Sequence, residues 1–70
     1  MPVLTFNTVE GALTISQKKE LSSALTETVA KILGEKLKPN TWVVINEAPE
    51  GSFHIGGHSV SAKTIQSMMK

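Results

Sequence analysis

The sequence predicts a small α/β (α+β) fold: a βαβ unit with two parallel strands, then a short hairpin and a short terminal helix. Residues 2–9 and 41–47 are both rich in β-branched and aromatic side chains, as strands are. Between them runs a long segment in which apolar side chains recur at helical spacing. A strand, a helix and a second strand form a right-handed unit whose two strands are parallel.

Local signals place the helix over residues 15–33. Thr14 and Gln17 have the spacing of a capping box, in which each side chain accepts the other residue's backbone N–H. Gly34 is predicted to end the helix in a left-handed conformation. The predicted apolar face comprises Leu21, Ala24, Leu25, Val29, Ile32 and Leu33.

The second strand carries apolar side chains on both faces. Trp42 and Val44 lie on one face, and Val43 and Ile45 on the other, which is typical of a strand covered from both sides. One helix covers only one face of a small sheet. The other face is therefore predicted to pack on a second copy of the chain.

The segments around the second strand show turn and capping signals. Pro39 and Asn40 mark a turn before the strand, and residues 48–52 form a loop after it. Residues 53–60 are predicted to form a hairpin that turns at the Gly56-Gly57 pair. Ser61 is a candidate cap for a terminal helix that reaches Met69.

The length of 70 residues predicts one domain, residues 1–70. A chain this small usually needs a disulfide, a metal or a partner subunit to be stable. There is no cysteine, and the two histidines and six carboxylates form no metal-ligand motif. Association with other copies is therefore the predicted support, and no metal is expected.

The charge pattern excludes one class of partner and predicts a compartment. All seven basic residues are lysines, the net charge is +1, and only three residues are aromatic. A basic face with stacking aromatics is missing, and nucleic-acid binding is therefore not predicted. No apolar run is long enough for a membrane span and no export signal is visible, and we expect an intracellular, cytoplasmic protein.

Several features occur in a characteristic order along nearly the whole chain, from Pro2 to about Val60. They are Met1-Pro2, Glu10-Gly11 after the first strand, QKKEL at 17–21, VVINE at 43–47 and FHIGG at 53–57. Taken together at this length, the set resembles the small-subunit 4-oxalocrotonate tautomerase family. The resemblance implies a βαβ subunit that pairs through its sheet, dimers that gather into hexamers, and no cofactor.

The resemblance also implies a catalytic residue. In that family the initiator methionine is removed and the exposed proline nitrogen is catalytic; the matching residue here is Pro2. In an apolar pocket the ammonium form is disfavoured, which lowers the pKa of such an amine toward the working pH. The neutral nitrogen can then move a proton between carbon and oxygen of a carbonyl compound, or attack the carbonyl to form an iminium. With Met1 attached, the nitrogen is a tertiary amide and neither use is open to it.

Four further residues complete the predicted pocket. Phe53 matches the family's pocket phenylalanine, which keeps water from the proline, although an ordinary core role remains open. Trp42 either stacks on a planar substrate or belongs to the core. His54 either polarises a carbonyl or is a solvated hairpin residue. Val9 is the fourth residue assigned to substrate binding.

The arginines of the family are missing. The positions that match them are Ala12, Trp42 and the region of Thr64, and lysine is no substitute for the rigid fork of arginine. We therefore expect tautomerisation of a small carbonyl compound that is less anionic than a dicarboxylate. The alternatives are a catalytically silent subunit of a homo- or hetero-oligomer, and an adaptor that binds peptides along a sheet edge.

Overall fold

The computed structural model describes residues 1–69 and has the predicted order of elements. Strand β1 spans Val3–Val9, helix α1 spans Ile15–Leu33 and strand β2 spans Trp42–Ala48. The two strands are parallel, and the register runs from Val3 opposite Trp42 to Val9 opposite Ala48. The predicted βαβ unit is confirmed.

Helix α1 begins and ends at the residues that the local signals predict. The Gln17 N–H donates to the Thr14 hydroxyl at 3.0 Å, and the Thr14 N–H donates to the Gln17 side-chain carbonyl at 2.9 Å. Gly34 ends the helix, but with φ 132° and ψ 142° rather than the predicted left-handed helical angles. Such an extended conformation at positive φ is open almost only to glycine, because it has no Cβ.

A 3₁₀ helix, Glu35–Asn40, leads from α1 into β2, where the sequence predicted only a turn. It is held to α1 by an ion pair between Lys38 and Glu27. The hydrogen bond from Lys38 to the Glu27 carboxylate raises the pKa of Lys38 above its ordinary value. The Thr41 hydroxyl also donates to the Leu37 carbonyl at 2.8 Å, which fixes the start of β2.

Helix α1 covers one face of the sheet. Val43 and Ile45 point toward this face and are half-buried. At the carboxyl end of β2, the Lys18 ammonium lies 2.5 Å from the Glu47 carboxylate and ties the helix to the strand.

The opposite face is open, as the sequence predicts. Val3, Trp42 and Val44 form an exposed apolar patch there, which we call the open-face patch; Val3 is 55% exposed and Trp42 56%. Ile32 and Leu33, predicted to lie on the apolar face of α1, are also exposed. A sheet of two strands is too narrow to cover the whole helix, and in its last turn Ala30 is buried whereas Ile32 and Leu33 are not.

The chain ends in a hairpin and a second helix. Strand β3, His54–Ile55, pairs antiparallel with strand β4, His58–Ser59, across the predicted glycine pair. Helix α2 spans Ala62–Ser67 and is capped by Ser61, whose hydroxyl accepts the Thr64 N–H at 3.1 Å. No helix within residues 1–69 is long and apolar enough to cross a membrane.

Candidate active site

Pro2 lies at the amino end of the sheet, directly before β1. Its carbonyl accepts the N–H of Trp42 at 2.9 Å, which fixes the start of β1 to the start of β2. Pro2 is half-buried, whereas Met1 is exposed. The hydrogen bond uses the carbonyl of Pro2 and leaves its nitrogen, bonded to Met1, free of any role in the sheet.

Trp42 is the only one of the four other predicted pocket residues that the fold brings beside Pro2. It is the first residue of β2, and its side chain belongs to the open-face patch. The register pairs Trp42 with Val3, the residue that follows Pro2. An apolar, partly exposed surface therefore adjoins the amino end of β1.

Phe53 and His54 lie at the other end of the sheet. Both follow the carboxyl end of β2, and the Phe53 carbonyl accepts the Val60 N–H at 2.9 Å at the base of the hairpin. Because β1 and β2 are parallel and seven residues long, their two ends are about 20 Å apart. One chain alone therefore does not gather Pro2 and Phe53 into one pocket.

Val9 is the last residue of β1 and is fully buried, with 0% exposure. Its side chain offers no surface to a substrate in this chain. Its neighbour Thr8, also in β1, and Ala12, in the turn that follows β1, are buried as well.

The two histidines do not act as a pair. His54 lies opposite Ser59, and His58 lies opposite Ile55, one position along the hairpin. Because neighbouring positions of a strand point to opposite faces, the two imidazoles lie on opposite faces of the hairpin. Across residues 1–69 there is no group of three or more His, Cys, Asp or Glu side chains that could hold a metal ion.

All basic side chains of the chain are lysines, and two of them are paired with carboxylates. Lys18 is bound to Glu47 and Lys38 to Glu27. The chain contains no arginine that could grip a carboxylate with two parallel hydrogen bonds.

Ala12, which matches an arginine position of the resembled family, is only 2% exposed. Its N–H donates to the Val9 carbonyl at 3.1 Å, and the preceding residue, Gly11, has φ +87° and accepts the Gln66 side-chain amide at 2.8 Å. The turn therefore leaves no room for a larger side chain at Ala12. No local sequence pattern predicts this contact, because 55 residues separate its two partners.

A groove of about 370 Å³ lies between α1 and β1, on the helix side of the sheet, and neither Pro2 nor Trp42 lines it. Gln17 and Glu20 contribute polar atoms at its rim. Its apolar lining comprises Phe6, Leu13, Leu21, Ala24 and Met69. This groove is therefore separate from the candidate catalytic residue.

Comparisons with known proteins agree with the fold. The sequence model described as tautomerase enzyme matches residues 2–63. The crystal structure of apo unfused 4-OT is 37% identical with a TM-score of 0.73, covering 84% of this chain and 93% of that chain. DmpI from Helicobacter pylori is 30% identical with a TM-score of 0.72, covering 84% and 95% of the two chains.

A third solved structure extends over almost the full length. It is a 4-oxalocrotonate tautomerase isozyme from Methylibium petroleiphilum, 28% identical with a TM-score of 0.71, covering 97% of this chain and 100% of that chain. No curated protein matches the sequence.

The chain belongs to the tautomerase family. Membership indicates a tautomerase-type isomerase, and members of this family are small oligomeric enzymes that act on small molecules. The family model ends at residue 63, inside α2, and Gln66, which donates to the Gly11 carbonyl, therefore lies beyond it.

The burial of Ala12 predicts that an arginine cannot simply be restored there. Ala12→Arg forces a long charged side chain into a closed turn, and we expect it to lower the free energy of unfolding by about 1–3 kcal/mol. The measurement is urea unfolding followed by circular dichroism, with Glu10→Arg, at an exposed position of the same turn, as the control. Equal midpoints for the two variants would show that the turn has room for the larger side chain.

Proposed function

We propose that the chain is a tautomerase in which Pro2, after removal of Met1, is the general base. Family membership supports the reaction class. The single observation that carries the role of Pro2 is its anchored carbonyl at the amino end of β1, which holds the ring while the nitrogen takes no part in the sheet. A secondary amine on a rigid ring at a fixed strand end suits repeated proton transfer.

The proposed reaction moves one proton. The neutral nitrogen of Pro2 takes the proton from the hydroxyl of an enol and then donates a proton to the adjacent carbon, which gives the ketone; the reverse reaction starts from that carbon. Substrate and product are isomers, and the step therefore needs no oxidant or reductant. Positioned proton transfer of this kind contributes about 10²–10⁴-fold to a rate.

The proposed substrate is a small carbonyl compound with a planar apolar group and less negative charge than a dicarboxylate. The open-face patch next to Pro2 offers apolar contacts, and Trp42 offers a ring for stacking. The chain has no arginine, and Lys18 and Lys38 are held by carboxylates. A substrate with two carboxylates would therefore bind more weakly, and with less defined orientation, than in a site that contains arginine.

We further propose that the working form is a dimer or a trimer of dimers. The accessible surface is 5274 Å², against roughly 4,200 Å² for a folded monomer of this size. The excess of about 1,000 Å² exceeds the area of about 800 Å² that each partner buries in a standard interface. The radius of gyration of 14.3 Å, against about 11 Å for a compact chain of 70 residues, supports the same view.

In this assembly a second copy completes the site. Pro2 and Trp42 come from the amino end of one sheet, and Phe53 and His54 come from the carboxyl end of another. Phe53 would then keep water from the Pro2 nitrogen, and His54 would donate a hydrogen bond to the carbonyl oxygen. Self-association is thus proposed as a condition for catalysis as well as for stability.

The role of Pro2 is tested by its replacement. Once mass spectrometry confirms that Met1 is absent, Pro2→Ala should lower kcat/KM for the enol-to-keto conversion of an arylpyruvate by at least about 100-fold, because the rigid secondary amine is lost. Pro39→Ala, a proline outside the site, is the matched control. Enol-to-keto conversion by Pro2→Ala at the native rate would contradict the proposal that Pro2 is the general base.

The role of Trp42 is tested by comparing two substrates. Trp42→Leu should raise KM for an aromatic 2-keto acid about three- to tenfold and change that for an aliphatic one much less, because only the aromatic substrate can stack. Val44→Ala, on the same face of the sheet, is the control. An equal loss with both substrates would mean that Trp42 has a structural role only.

Self-association is tested at the open-face patch. We expect the native chain to sediment as a dimer or a larger species, and Val44→Lys to shift it toward the monomer, because a lysine there buries a charge in the interface. Ser16→Lys, at an exposed position of α1, serves as the comparison. A native chain that stays monomeric at assay concentrations is the contrary result.

A further inference from the structure

The residues that the proposed site takes from the second copy lie on a projecting segment, residues 53–60, which we call the hairpin arm. All six residues of its two strands and turn, 54–59, are exposed, and only Phe53 and Val60 at its base are half-buried. An isolated two-stranded hairpin is marginally stable in water. Its direction relative to the sheet must therefore be set by whatever holds its base.

Helix α2 holds that base through contacts at both of its ends. At its start, the Ala62 N–H donates to the Glu50 carboxylate at 2.8 Å, which links the two chain segments that flank the hairpin arm. At its end, the Gln66 side-chain amide donates to the Gly11 carbonyl at 2.8 Å, which links α2 to the turn after β1. The two contacts join the loop after β2, the turn after β1 and α2.

The contacts of the segment around α2 with α1 are weaker. Met69 lines the groove beside α1, and its sulfur accepts the Gln17 side-chain amide at 4.0 Å. Ile65 is half-buried. A helix of six residues does not form by itself, because the first turn costs more than it gains. Helix α2 therefore depends on these contacts, and the base of the hairpin arm depends on α2.

We infer that α2 is a brace that sets the direction of the hairpin arm, and that Glu50 and Gln66 are positioning residues for the reaction. This inference rests on the function proposed above, in which Phe53 and His54 reach the Pro2 of a second copy. Glu50 and Gln66 touch no substrate; they act by fixing where Phe53 lies. A displacement of about 1 Å at such a residue can lower a rate by about two orders of magnitude.

The hydrogen bonds that Glu50 and Gln66 make are both exposed to solvent. Both hydrogen bonds lie at the surface, where water competes for each partner, and each alone stabilises the brace only modestly. Loss of both frees α2 at its two ends. The effect of the double variant should therefore exceed that of either single variant.

The variants are Glu50→Ala, Gln66→Ala and their combination, with Lys63→Ala, at an exposed position of the same helix, as the matched control. Glu50→Gln is the conservative variant, because its amide oxygen can still accept the Ala62 N–H. Circular dichroism and sedimentation check that each variant folds and assembles as the native chain does.

The rate of amide hydrogen exchange tests directly whether α2 is held in place. In the double variant, the amide of Ala62 should exchange about tenfold faster, and that of Val60, which bonds to Phe53, should also exchange faster. Glu50→Ala alone should have the same effect to a smaller extent. Glu50→Gln and Lys63→Ala should keep the native rates. Native exchange at both amides in the double variant would overturn the inference.

Enzyme kinetics test whether Glu50 and Gln66 position residues for the reaction. We expect kcat/KM of the double variant to fall about tenfold at unchanged assembly, mainly through kcat, with recovery in Glu50→Gln. If the fall in kcat/KM is accompanied by dissociation of the assembly, Glu50 and Gln66 contribute only to the stability of the assembly, and the positioning role is wrong. If the native chain has no Pro2-dependent activity, the proposed function is wrong. If hydrogen exchange in the double variant stays at the native rate, the inference that α2 is a brace is wrong, whatever the activity.

Discussion

A sheet of two parallel strands with one helix is too small to bury its own apolar side chains, and the rest of the structure depends on this limit. Among residues 1–69 only three hydrophobic side chains are buried, Val9, Ala12 and Ala30. They mark the turn after β1 and the last part of α1, whereas the middle of the sheet stays open on one face. The self-association proposed above would supply the missing burial.

The parallel pairing has a second consequence, which concerns the site. A parallel connection puts both strand starts at one end and both strand ends at the other. Pro2 is therefore confined to the amino end, and the segment after β2, with Phe53, begins at the carboxyl end. If both act on one substrate, they must come from different chains. Assembly and catalysis are then linked by topology, and any contact that orients residues 53–60 bears on both.

The sequence predicted what depends on neighbouring residues. The bounds of α1 were predicted because its start and end are decided within a few residues, by the Thr14–Gln17 box and by Gly34. The exposure of Ile32 was not foreseen, since periodicity gives the direction of a side chain but not the width of the sheet it meets. The contact of Gln66 with Gly11 left no local pattern at all, because it joins residues that only the fold brings together.

The loss of the arginines raises a question about the base itself. A nearby cation and an apolar environment both lower the pKa of an amine, the first by repulsion and the second by desolvation. Without arginine, a free Pro2 amine is expected to depend mainly on desolvation for a lowered pKa. In one chain that amine has Trp42 beside it and open solvent beyond the end of the sheet. In the proposed assembly a second chain, with Phe53 on its hairpin arm, would supply the remaining apolar cover. Under that proposal the basic nitrogen is expected to be neutral at working pH only in the assembled protein.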